Sequence, residues 1–153
     1  MSDDKHTAGG AILTDLVLEV FRLNGRLLVA GDRLIADVGL TSARWQVLGA
    51  VHYAEEPQTV SWLARSMGLT RQAVQRVVNE LEADGLIAFK ANPAHRRAQL
   101  VTLTRKGQAA YAAAGRRQTP WANALAKGVE RAELAAALAL LTALRERLET
   151  DSE

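Results

Sequence analysis

The chain has 153 residues, 48% of them apolar and 24% charged, with no cysteine and a formal net charge of +2. That is chain enough for one domain with a real core and too apolar for a disordered protein, while the lack of cysteine excludes a disulfide framework, a thiolate metal site and a thiol redox sensor. No apolar run approaches the roughly 20 residues that span a bilayer, and the start MSDDKHTAGG lacks the basic and apolar regions of a signal peptide. The expectation is a cytoplasmic protein with a disordered tail over residues 1–10.

Residues 11–36 read as a long helix, because Ile12, Leu13, Leu16, Val17, Val20, Leu23, Leu27 and Leu28 recur at helical spacing. Gly39-Leu40-Thr41 breaks the pattern, and Thr41 is suited to cap a second helix over 42–54 with Trp45, Val47, Leu48 and Val51 on its apolar side. Glu55-Glu56-Pro57 ends it. A short third helix over 60–67 turns Leu63, Ala64 and Met67 inward, and Gly68 fits the left-handed residue that closes a helix. Leu69 then reads as an apolar plug, and Thr70 as the N-cap of a fourth helix over 71–83. On that helix Ala73, Val74, Val77, Val78 and Leu81 form the expected buried stripe. Gln72, Gln75, Arg76 and Asn79 fall within about 100° of arc on the other side.

Two short β-like runs follow, 86–90 and 99–103, joined by the basic loop Asn92-Pro93-Ala94-His95-Arg96-Arg97. Thr104 can cap a fifth helix, which Pro120 should kink or restart. A last helix over 130–149 carries Leu134, Leu138, Leu141, Leu144 and Leu148 in a near-heptad stripe. Helix, glycine turn, helix and hairpin make a winged helix-turn-helix. The fold class expected is mainly α with a small β-hairpin wing (α+β). One domain spans 11–153, with the winged unit at about 42–103 and flanking helices at about 11–36 and 104–149.

The small net charge hides an asymmetry. Between Arg65 and Arg117 there are ten Lys/Arg and three acids, a local charge of +7 that leaves −5 for the rest. One face is therefore suited to a polyanion. Gln and Asn on the fourth helix can pair with adenine and Arg with guanine, so Gln72, Gln75, Arg76 and Asn79 are the candidates for base contact. Thr70 and Arg71 sit at that helix's N-terminus, where backbone N–H groups and the dipole favour phosphate. Thr59 and Ser61, at the start of the third helix, are further phosphate candidates. Arg96 and Arg97 on the wing would grip the minor groove, and Arg105 follows the wing as a contact or a solvated cation. The three histidines, His6, His52 and His95, are scattered, and neither an HExxH motif, a Gly-rich phosphate loop nor a Ser/His/Asp grouping occurs. Neither an enzyme, a metal site nor a cofactor is expected.

These residues carry a family resemblance over about residues 11–149. Leu63-Ala64, Gly68-Leu69-Thr70-Arg71-Gln72-Ala73-Val74, Leu81-Glu82-Ala83-Asp84-Gly85-Leu86-Ile87 and Leu103-Thr104-Arg105-Lys106-Gly107, in this order and spacing, resemble the MarR family of winged-helix transcription regulators. One position departs from the family pattern: His95 stands where the wing usually carries an Asp, two residues before Arg97. The resemblance implies an obligate homodimer interlocked through the first, fifth and sixth helices. It also implies a pseudo-palindromic double-stranded operator, repression, and release by a small aromatic or phenolic ligand held between dimer core and winged head. Trp45, His52, Arg22 and Arg26 are the candidates for such a ligand pocket, against their plainer reading as core, surface or interface residues. A sequence-tolerant architectural DNA binder and a winged helix used for protein contacts are the competing readings.

Overall fold

The structure, a computed structural model, describes residues 5–150; the ends at 1–4 and 151–153, including the start of the expected tail, lie outside the described residues. Helix α1 runs Ala8–Leu34, three residues before the expected start at 11 and two short of the expected end at 36, and begins where Thr7 accepts the Gly10 N–H at 3.0 Å and caps it. The expected tail over 1–10 therefore gives way to helix at Ala8. A 3₁₀ turn at Ala36–Val38 and Gly39, with φ of 77°, then redirect the chain. The buried side chains of Ile35 and Leu40 bracket that turn.

Helix α2 (Ser42–Tyr53) starts at the Thr41 cap, whose Oγ1 accepts the Arg44 N–H. Its first residue fastens it to α1. The Ser42 N–H donates to Asp32 Oδ1 at 2.6 Å, and Ser42 Oγ donates to the Leu28 carbonyl at 2.8 Å. A β-carbon at Gly31 would stand 2.3 Å from Ser42 Oγ, so a larger residue there would push that hydroxyl off the Leu28 carbonyl. None of these partners shows in a local pattern.

The winged unit follows as β1 (Gln58–Thr59), α3 (Val60–Met67), α4 (Arg71–Ala83), β2 (Ile87–Lys90) and β3 (Leu100–Leu103). The expected hairpin is the antiparallel pair β2–β3, in register Ile87 to Leu103 and Lys90 to Leu100. A third strand, β1, extends it in the order β1-β3-β2, pairing Gln58 with Val101 and Thr59 with Leu100. Two residues are too few for an alternation to betray a strand. The core gathers Val47 and Leu48 of α2, Leu63 of α3, Val74, Val78 and Leu81 of α4, Ile87 of β2 and Val101 of β3, all essentially inaccessible. Two expected core members are outside it: Ala73 is exposed and Leu69 is 49% exposed. At 100° per residue Ala73 lies on the edge of the stripe centred on Val74, Val77, Val78 and Leu81.

The wing is anchored at its base by the start of α5 (Arg105–Leu125). Thr104 Oγ1 donates to the Gly85 carbonyl at 2.6 Å and accepts the Gly107 N–H at 3.0 Å, capping the helix as its sequence position suggested. Lys106 Nζ donates to the Asp84 carbonyl at 2.7 Å. A β-carbon on Gly107 would fall 1.9 Å from the Leu86 carbonyl oxygen. The turn after α4 and the residues after β3 thus fit each other atom by atom. Helix α5 runs through Pro120 instead of restarting there. The proline costs it one intrahelical hydrogen bond, that to the Arg116 carbonyl.

Residues from Thr119 onward form a second compact unit. It holds the end of α5, a turn through Gly128 at φ 85°, and α6 (Arg131–Thr150). Leu134, Leu138, Leu141 and Leu148 of the expected stripe are exposed on α6, while Leu144 is half-buried. Helix α1 likewise exposes Ile12, Phe21 and Leu23. Among the described residues no helix is long and apolar enough to cross a membrane.

Candidate nucleic-acid interface

Helix α3, its turn and helix α4 are set by short-range chemistry. Thr59 caps α3 by accepting the Trp62 N–H at 3.3 Å, and Gly68 closes it at φ 65° with its N–H on the Arg65 carbonyl. The Leu69 N–H returns to the Ala64 carbonyl at 2.9 Å, which completes a Schellman-type ending. Thr70 then caps α4 by accepting the Ala73 N–H at 3.2 Å. The capping predicted for Thr70 and the left-handed role predicted for Gly68 are both observed. The cap of Thr59 was not foreseen, although its position before an apolar run was the available signal.

The polar face of α4 stands clear of the core. Arg71, Gln72, Gln75, Arg76 and Asn79 line one groove of about 620 Å³ together with Glu80. Two ties run along this face, one turn each. Gln75 Nε2 donates to Asn79 Oδ1 at 2.9 Å, and Arg76 Nη1 donates to Glu80 Oε1 at 3.2 Å. Glu80 was not singled out from the sequence, although its place four residues after Arg76 was the readable sign.

A second cleft of about 210 Å³ lies between α4 and the wing. Arg71, Gln75 and Asn79 form one wall, Arg97, Ala98 and Gln99 another, and Thr59 and Ser61 the end. Candidates from three segments of the sequence thus meet around one concavity. Arg96 and Arg105 are exposed but line neither cleft, and the Thr70 oxygen accepts its capping N–H, which leaves the hydroxyl proton to donate outward. Lys106 is held by the Asp84 carbonyl and is therefore part of the scaffold.

The wing tip is ordered by its own backbone. Asn92 Oδ1 accepts the Ala94 N–H at 3.0 Å, the Asn92 carbonyl accepts the His95 N–H, and the His95 carbonyl accepts the Ala98 N–H, both at 3.2 Å. The His95 side chain is exposed at the tip.

The ligand candidates are dispersed. His52 packs its ring against Tyr111 of α5, centroids 4.6 Å apart, and meets Tyr53 edge-on at 5.1 Å. Burial, with a hydrogen bond to Tyr53, pushes the Tyr111 phenol up to about 12. His52 also lines a groove of about 240 Å³ with Val51, Pro57, Val101 and Leu103, and Glu55 and Glu56 stand on its walls. Trp45 packs on the core. Arg22 pairs with Glu19 at 3.3 Å and Arg26 is exposed; neither lines this groove. Tyr53 was missed although it adjoins His52 in the sequence, and Tyr111 because nothing local links residue 111 to residue 52.

Residues 38–98, from the 3₁₀ turn to the wing, match the sequence profile of the MarR family. The transcriptional repressor CouR, solved on a 23-mer DNA duplex, superposes with a TM-score of 0.76 at 25% identity, covering 92% of this chain and 99% of that one. The chain belongs to the MarR family. It is thus a winged-helix DNA-binding transcription regulator and not an enzyme. Among sequence relatives, the protein Rv2011c of Mycobacterium tuberculosis is 41% identical over 121 residues, 79% of this chain and 83% of that protein. The transcriptional activatory protein BadR of Rhodopseudomonas palustris is 28% identical over 109 residues, 70% of this chain and 62% of that protein. CouR from Rhodococcus jostii has also been solved with p-coumaroyl-CoA; that structure matches with a TM-score of 0.75 at 23% identity, covering 85% and 91% of the two chains.

Proposed function

We propose that this MarR-family protein is a repressor that binds a pseudo-palindromic operator in double-stranded DNA as a homodimer. The observation that carries the reading is the cleft between α4 and the wing, where Arg71, Gln75, Asn79 and Arg97 converge with Ser61. In this reading Gln72, Gln75, Arg76 and Asn79 reach base edges, and Arg71, Thr70, Thr59 and Ser61 hold phosphate. Arg96, Arg97 and Arg105 contact the backbone or minor groove. The likeness to a repressor solved on DNA supports it.

The dimer has its own support. The exposed leucines of α6 and the exposed Ile12, Phe21 and Leu23 of α1 are apolar surface that a soluble monomer rarely leaves uncovered. A two-fold dimer would set two recognition helices about 34 Å apart, one DNA turn. Selection of bound duplexes from a random pool tests the whole reading. A repeated inverted half-site with roughly 10 base pairs between centres is expected. Equal retention of all sequences would favour an architectural binder and sink this one. Activation has one observation in its favour, the likeness to BadR. Transcription from the selected operator, with and without the protein, decides between them.

For an effector, the groove lined by His52, whose ring packs on Tyr111, is the best-supported seat, with CouR's ligand-bound structure as precedent of fold. Glu55 and Glu56 on its walls repel a carboxylate, so a neutral phenolic compound suits it better than an aromatic acid. Release of operator by phenols but not by the matching benzoates is the expected result.

A further inference from the structure

Of the two exposed glutamates of α4, Glu80 and Glu82, one lines the groove on its polar face. Glu80 lines the same groove as Gln72, Gln75, Arg76 and Asn79, and its Oε1 accepts Arg76 Nη1 at 3.2 Å. Both side chains are exposed, at 72% for Arg76 and 47% for Glu80. Opposite a polyanion, an exposed carboxylate is repelled and lowers affinity for every sequence alike. As an i,i+4 surface pair it adds little to helix stability. Asp84, the acid at the C-cap of α4, is by contrast paired with Arg44 of α2, away from the polar face.

What such a carboxylate can do is hold a guanidinium. Arginine reads guanine by aiming two N–H groups in one plane at O6 and N7. A side chain already held in that orientation loses less freedom on binding. Gln75 and Asn79 are tied in the same way one residue earlier, so the two ties run side by side, 75 to 79 and 76 to 80.

We propose that Glu80 is a positioning residue for Arg76, fixing its guanidinium for one guanine and giving up sequence-independent affinity for discrimination at that base pair. This rests on Arg76 being a base reader, as proposed above. A purely structural Glu80 would change stability and weaken all sequences equally. A purely repulsive Glu80 would, when removed, tighten all sequences equally and leave their ranking unchanged.

The test uses the full chain as wild type, R76A, E80Q and the double variant. The operator is first selected from a random pool. Affinities are then measured for the operator, for each single base-pair change and for random duplex, with thermal unfolding as a check of fold. R76A should erase the preference for guanine at one base pair of each half-site. E80Q should unfold as wild type, bind random duplex about two- to threefold tighter, and discriminate on the order of tenfold less at that same base pair only. The double variant should lose nothing further there. The proposal is overturned if E80Q keeps wild-type discrimination at that pair, or loses it evenly at all positions. If R76A leaves every position unchanged, Arg76 is not a base reader, and the contact assignment fails together with the proposal. That result is distinct from an E80Q variant that is silent beside an active R76A.

Discussion

Replacing Gly107 by alanine tests the joint between the wing and α5. In most helix interiors this change stabilises by about 0.5–1 kcal/mol, because alanine loses less backbone freedom. Here the new methyl would lie 1.9 Å from the Leu86 carbonyl oxygen and 2.9 Å from its carbon. Ordinary contact requires about 1.5 Å more, and the obstacle is backbone. Leu86 cannot yield freely: its carbonyl accepts the Thr104 N–H at 3.1 Å, and the next residue, Ile87, pairs with Leu103. Overpacking of this kind costs about 1–3 kcal/mol, and disturbing the Thr104 bond adds about 1 kcal/mol. After subtracting the propensity gain, the net loss is about 2 kcal/mol. Urea unfolding followed by far-ultraviolet circular dichroism, at one fixed protomer concentration, should show a lower midpoint at unchanged slope. Gly9→Ala is the control, since open space surrounds its added β-carbon, and it should match or slightly exceed wild type. If Gly107→Ala unfolds at the wild-type midpoint or above, the close approach at Leu86 does not constrain this position and the argument fails.

Four further outcomes follow from the site. Arg97→Ala should reduce the slope of log affinity against log salt by about 0.9 if the residue neutralises one phosphate; an unchanged slope removes Arg97 from the contact set. Gln72→Ala should cost about 1–3 kcal/mol on the selected operator and relax one base position, whereas a uniform loss on all sequences would make it a backbone contact. The hydrogen bond from the Arg117 guanidinium holds the Asp37 carboxyl below its usual range, against a smaller opposing effect of desolvation. The stability this supplies is present above the ordinary aspartate range and is lost as pH falls through the lowered native value; Asp37→Asn should therefore trail wild type at neutral pH and converge with it in acid, and a constant gap would refute the linkage. Tyr111, pushed up to about 12, contributes stability below the ordinary tyrosine range that is lost as pH rises through 12. Phenolate absorbance should accordingly show one tyrosine ionising late in wild type and none in Tyr111→Phe.

Much of the DNA-facing unit was legible because its determinants are local. Caps at Thr41, Thr70 and Thr104, the left-handed Gly68 and the 3.6-residue stripe of α4 each depend on residues within one turn. The limits of α3 and α4 match their patterns for that reason. What escaped depends on distant partners. Strand β1 exists only because β3 offers Val101 and Leu100 to pair with. Gly31 and Ser42, or Gly107 and Leu86, are close approaches that leave no periodic trace. Ala73 and Leu69 failed as core residues because apolar character at the edge of a stripe does not decide which way a side chain faces. At the groove beside α2, His52 was visible as a candidate, but its aromatic neighbour Tyr111 stands 59 positions away, on another helix.

The ion pairs sharpen the electrostatic argument beyond the charge count. Of the ten cations between Arg65 and Arg117, Arg76 is paired with Glu80, Arg117 with Asp37, and Lys106 is bound to the Asp84 carbonyl. Asp84 itself is drawn off by Arg44, which comes from outside the segment. Among the described residues, Arg65, Arg71, Lys90, Arg96, Arg97, Arg105 and Arg116 have no ion-pair partner. The cations that are paired serve the scaffold or, at Arg76, orientation; those left unpaired lie on α3, α4, the wing and α5. A surface evolved only for solubility would intersperse both signs. Leaving so many cations of this stretch unneutralised carries a cost in self-repulsion, and a phosphate backbone is a partner that relieves it through counterion release.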